Sequence, residues 1–104
     1  MYETIPIQRL DQWLEQGYEG RIIDLRIPQL YQSGHLWGAE NIPYEELEQE
    51  PSLIDGPGPF LFYCSRGSES LLVCNYYSRQ GMEVYNVAGG YIWYKGKYGT
   101  AKEH

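Results

Sequence analysis

FLFYCSRGSESLL, residues Phe60 to Leu72, joins an apolar run of strand length to a helix-like segment through a short polar loop. Phe60 to Tyr63 has the compact apolar character of a buried strand, and the residues from Leu71 onward have the broader apolar spacing of a helix. Between them lie Cys64, Ser65, Arg66, Gly67, Ser68, Glu69 and Ser70. Gly67 tolerates backbone dihedrals that other residues resist, and the first turn of a helix carries amide donors without partners. Such a loop can aim several N–H groups at one point. Here that point is the sulfur of Cys64.

Working outward, short apolar runs alternate with helical patterns. Strands are expected at Thr4 to Ile7, Arg21 to Leu25, around Asn41 and Ile42, at Phe60 to Tyr63, and at Met82 to Val87. Helices are expected around Asp11 to Gln16, where Leu10, Trp13 and Leu14 share a face, and after Pro28 through Leu30 and Tyr31. A further short helix runs over Tyr44 to Glu50, with Leu47 as its anchor. The longest helix follows the Cys64 loop over Ser68 to Gln80. Leu71, Leu72, Val73, Cys74, Tyr76 and Tyr77 give it a broad apolar face. YIWYKGKY, from Tyr91, reads as a terminal helix or a pair of turns in which Trp93 packs. Strands alternating with helices predict the α/β class, a parallel or mostly parallel sheet covered on both faces. At 104 residues the chain is read as one domain, 1–104.

Charge narrows the partners. With 14 acidic and 8 basic residues the net charge is −6, which argues against nucleic acid and anionic membrane surfaces, since both need clustered Lys and Arg. There is no apolar run of membrane-spanning length and no basic segment leading an apolar one, so a cytoplasmic setting is expected. The two cysteines are expected as free thiols. Ten residues along a helix separate them by about 15 Å, whereas a disulfide needs Cα atoms within about 7 Å. His35, His104, Cys64 and Cys74 lack the close ligand pairs of a zinc site, so neither metal nor cofactor is expected.

Cys64 reads either as a small buried hydrophobe or as a nucleophile. Its place after a strand favours the second, because open α/β sheets bind ligands at the carboxyl ends of their strands. The positive helix end and the ring of N–H groups favour thiolate over thiol. Arg66, the only basic residue of the loop, is a surface charge or part of the site. Ser68 and Ser70 are ordinary helix-start residues that become donors only if turned inward. Glu69 suits the first turn of a helix, and Cys74 reads as core. Asp24, ending an apolar run, needs a partner if buried. Arg26 supplies it or faces solvent.

Three blocks together resemble the rhodanese family of sulfurtransferases: IIDLRIPQLYQSGHLWGAENIP (Ile22 to Pro43), YCSRGSES (Tyr63 to Ser70) and GMEVYNVAGGYIWY (Gly81 to Tyr94). The resemblance implies a three-layer fold, a mainly parallel five-stranded sheet with helices on both faces. It implies that Cys64 carries sulfur as a persulfide, with Ser65 to Ser70 forming the loop around the outer sulfur. Asp24, Arg26 and His35 match signature positions and are expected to support the pocket, and Gly89 and Gly90 match the turn before the last element. The partners implied are a small sulfur donor or acceptor, such as thiosulfate, cyanide or a thiol, or a persulfide-donating protein. Many thiosulfate-using members carry basic residues where this chain has Ser65 and Glu69, so thiosulfate activity is expected to be weak. Related phosphatases end a longer loop on an arginine, and the corresponding position here is Ser70, which disfavours that chemistry. The alternative is a non-catalytic rhodanese-like protein-binding module, for which 11 Tyr and 3 Trp leave adhesive surface.

Overall fold

The structure, a computed structural model, describes residues 2–100, and His104 lies outside them. Five strands, β1 (Glu3–Pro6), β2 (Arg21–Asp24), β3 (Ala39–Asn41), β4 (Phe60–Tyr63) and β5 (Val84–Ala88), form one sheet in the order β1-β5-β4-β2-β3. Every pairing is parallel. Strand β4 is central, and all four of its residues are buried. Side chains alternate across a strand, so Phe60 and Phe62 enter one core with Val73, Cys74 and Tyr77, while Leu61 and Tyr63 enter a second with Leu10 and Leu36. The two cores lie on opposite faces, which makes three layers. Cys64 therefore emerges at the middle of the carboxyl edge, between the ends of β2 and β5.

Helices α1 (Leu10–Leu14), α2 (Pro28–Ser33), α3 (Tyr44–Gln49) and α4 (Ser68–Ser78) cover the sheet. Leu47 is the one buried residue of α3, as its pattern predicts. The expected broad apolar face of α4 is narrower in the structure. Ser70, Val73, Cys74 and Tyr77 are buried, a stripe at helical spacing. Leu71, Leu72 and Tyr76 fall off that stripe and are 42% to 54% exposed. Trp93 does not pack either, being 61% exposed. Its segment is a 3-10 turn, Tyr91–Trp93, not a terminal helix, and Tyr91 and Tyr94 take the inward positions with their rings stacked at 5.2 Å. At the other end β1 stops at Pro6, one residue early, because Ile7 already begins a 3-10 turn. Among the described residues no helix is long and apolar enough to cross a membrane.

Candidate active site

The loop between β4 and α4 owes its shape to Gly67, whose φ of 101° lies in the left-handed region that glycine alone enters freely. From that conformation the Gly67 amide donates to Cys64 Sγ at 3.1 Å, and the Ser70 amide donates to it at 3.4 Å. Both amides stand at the start of α4, where helix geometry leaves them without a backbone acceptor. The loop is also clamped from outside. Tyr91 N–H donates to the Cys64 carbonyl at 2.8 Å, and Ile92 N–H donates to the Ser65 carbonyl at 3.1 Å. Gly90 lies so close beneath that a Cβ there would collide with the Ser65 carbonyl oxygen.

Cys64 is 1% exposed and sits at the floor of an open pocket of about 330 Å³. Ser65, Arg66, Ser68 and Glu69 form one side of that pocket, and Arg26, Ile27, Leu30, Tyr44 and Glu45 face them. Ser70 turns inward. Its Oγ lies 3.7 Å from Cys64 Sγ, and its hydroxyl donates to Asn86 Oδ1 at 2.7 Å. A hydroxyl has one proton to give, so in this arrangement Ser70 accepts from the thiol. Asn86 in turn reaches back to Thr4, its Nδ2 lying 3.4 Å from Thr4 Oγ1.

Asp24 and Arg26 are both buried, and each satisfies the other. Arg26 Nη2 lies 2.7 Å from Asp24 Oδ2, Nε lies 3.0 and 3.1 Å from the two carboxylate oxygens, and the Arg26 amide donates to Oδ1 at 2.9 Å. Arg26 Nη2 also donates to the Gly34 carbonyl at 2.6 Å, and its guanidinium lies over the Tyr91 ring at 4.4 Å. Tyr63 adds a hydroxyl bond to Asp24 at 2.7 Å. Burial, reinforced by the Asp24 charge, pushes the Tyr63 hydroxyl far above its ordinary range, so it remains a donor. The guanidinium is thus engaged beside the pocket it lines. Asp24 stands behind that wall. His35 is not in the lining: it stacks on Tyr31 at 3.7 Å, and its Nδ1 donates to the Tyr31 carbonyl at 2.8 Å.

Of the residues singled out from the sequence, the structure brings Cys64, the Ser65 to Ser70 loop and Arg26 together around one cavity. It adds three that sequence reasoning missed. Asn86 was legible as a polar residue within the apolar run VYNVA, where burial demands a partner. Tyr63 and Glu45 gave no such signal, since only the fold places Tyr63 against Asp24 and Glu45 opposite Glu69. Burial first, then the Glu45 and Glu48 charges, raises the Glu69 carboxyl above its usual range. Burial likewise pushes Cys74 up to about 12, helped by Cys64, so Cys74 stays a thiol at neutral pH. Both cysteines are free.

The family model for the rhodanese-like domain matches residues 7–97. The chain belongs to the rhodanese-like domain family. This rhodanese-like domain is 34% identical over 83 residues to the uncharacterized protein YqhL of Bacillus subtilis, a match that covers 78% of this chain and 66% of that protein. It is 27% identical over 94 residues to the thiosulfate sulfurtransferase GlpE of Pseudomonas aeruginosa, covering 88% of this chain and 84% of that one. A rhodanese-like domain protein from Staphylococcus aureus superposes with a TM-score of 0.78 at 21% identity, over 97% and 99% of the two chains. That last likeness is one of fold.

Proposed function

We propose that this domain is a cytoplasmic sulfurtransferase that carries sulfane sulfur as a persulfide on Cys64. The observation that carries the reading is the convergence of the Gly67 and Ser70 amides on Cys64 Sγ at the floor of an open pocket. Two N–H dipoles at a helix start stabilise a thiolate and, after sulfur transfer, the anionic persulfide. The Cys64 thiolate attacks the sulfane sulfur of a donor, an S–S bond forms, and the donor's own bond to that sulfur breaks, with the electron pair leaving on the donor fragment. An acceptor thiolate then attacks the outer sulfur, and Cys64 departs as thiolate. Ser65 to Ser70 form the cradle, while Asp24, Arg26 and His35 support its surroundings. Glu69 and Glu45 at the mouth oppose dianions, so thiosulfate serves as a weak donor.

Intact-mass spectrometry tests this directly. Incubation with a low-molecular-weight persulfide or thiosulfate is expected to add one sulfur to the Cys64 peptide, and dithiothreitol removes it. No gain, or a gain mapped to Cys74, rejects the reading.

Ser70→Ala probes the inner hydrogen-bond chain. It removes the hydroxyl 3.7 Å from Sγ and leaves Asn86 Oδ1 without its donor. Once Cys64 has lost its proton, the Ser70 hydroxyl turns from Asn86 Oδ1 to donate to the thiolate. A bond to a charged group contributes about 1.5–3 kcal/mol, so persulfide formation is expected to slow about 10- to 100-fold, read as the single-turnover rate. An unchanged rate would assign Ser70 to packing alone.

A further inference from the structure

A groove of about 270 Å³ between α3 and α4 adjoins the Cys64 pocket. Its floor is Leu47, Val73 and Tyr77, its rim is Leu72 and Tyr76, and Tyr44 lines both groove and pocket, so the two cavities share a wall. We infer that this groove docks a basic, cysteine-bearing segment of a partner protein and delivers that segment's sulfur to or from Cys64. The inference rests on Cys64 as the sulfur carrier and names the class of its partner.

Two features select this occupant. Leu72 and Tyr76 are large apolar side chains that helix α4 turns away from its own core, beside a concave surface rather than scattered singly. Carboxylates border the same surface: Glu48 lines the groove, and Glu45 and Glu69 line the pocket mouth. The repulsion among these three is felt at Glu69. Arg26 is engaged by Asp24, which leaves Arg66 as the one basic side chain of the pocket lining, among the described residues, without that compensation. A dianion is therefore poorly matched. A Lys or Arg beside the partner's cysteine meets the carboxylates with its charge and the apolar rim with its stem. A second copy of this chain would bring its own acidic surface, at a net charge of −6, against this one.

The transfer balances without a further reagent. When the partner holds the persulfide, the Cys64 thiolate attacks its terminal sulfur, the partner's S–S bond breaks, and the partner cysteine leaves as thiolate. The reverse direction exchanges the two roles.

The test uses persulfidated wild-type protein and two synthetic peptides, each with one cysteine and one leucine, flanked by four lysines or by four glutamates. Free cysteine is the reference acceptor. The lysine peptide is expected to remove the sulfur at least 10-fold faster than the glutamate peptide at low ionic strength, with the advantage shrinking as salt rises. Glu48→Gln combined with Leu72→Ser should lower the ratio of lysine-peptide rate to free-cysteine rate severalfold. Equal rates for the two peptides, or a ratio unmoved by the double substitution, overturns the inference. So does a dimer in solution that Leu72→Ser dissociates, which would assign the groove to a second copy. Should Cys64 accept no sulfur at all, fluorescence anisotropy of the labelled peptides on Cys64→Ala protein still decides docking separately.

Discussion

Cys64→Ala protein is expected to gain no sulfur from any donor and to turn over at less than about one thousandth of the wild-type rate, whereas Cys74→Ala keeps both properties. The contrast follows from the surroundings of two thiols of similar burial. Cys64 Sγ faces the Gly67 and Ser70 amides and an open cavity. Cys74 lies within the apolar core of α4, and its thiol stays protonated near neutrality. The alanine variant should fold, because Cys64 contributes one small side chain to a core that Phe60, Phe62 and Tyr77 fill. Far-ultraviolet circular dichroism beside the mass measurement separates lost chemistry from lost structure. Sulfur gain retained in the folded alanine variant would place the carrier elsewhere.

Asp24→Ala is expected to destabilise the fold by about 3–5 kcal/mol, the usual effect of removing one partner of a buried ion pair. Against a total stability of about 5–15 kcal/mol, that is a large fraction. Four groups lose their acceptor together: Arg26 Nε, Arg26 Nη2, the Arg26 amide and the Tyr63 hydroxyl. The buried guanidinium is left with only the Gly34 carbonyl and the Tyr63 and Tyr91 rings. Urea unfolding should show a lower midpoint with an unchanged slope. Asp24→Asn, which keeps the shape and one acceptor oxygen, should fall between the two. A loss below about 1 kcal/mol for the alanine variant would mean that water reaches the guanidinium and the pair is not a structural pin.

The chain's local patterns carried much of this. FLFY is apolar at every position because β4 has sheet neighbours on both sides and helices on both faces, and the small polar loop after it has few other uses at a strand end. Asp24 was half legible, since a carboxylate closing an apolar run demands compensation, but both the bidentate geometry with Arg26 and the help of Tyr63 are products of the fold. The α4 face was misjudged because six apolar residues in a row of seven leave the inward direction undetermined. Ser70 settles it: its place against Asn86 and Cys64 fixes which stripe turns to the sheet and leaves Leu72 and Tyr76 outside. Trp93 yielded the interior to Tyr91 and Tyr94 for a similar reason, because a 3-10 turn presents its neighbours inward at a different spacing than a helix would. The acidic rim joins Glu45 and Glu48 of α3 to Glu69 of α4, residues separated by more than twenty positions in the chain.

The amides that hold Cys64 Sγ belong to the main chain, and the clamp from Tyr91 and Ile92 grips main-chain carbonyls. No exchange of Ser65, Arg66, Ser68 or Glu69 removes any of those groups. The side chains of the pocket rim can therefore change freely while the main-chain cradle of Cys64 Sγ stays fixed. In this chain the charge of that rim is a setting, and the backbone beneath it is the instrument.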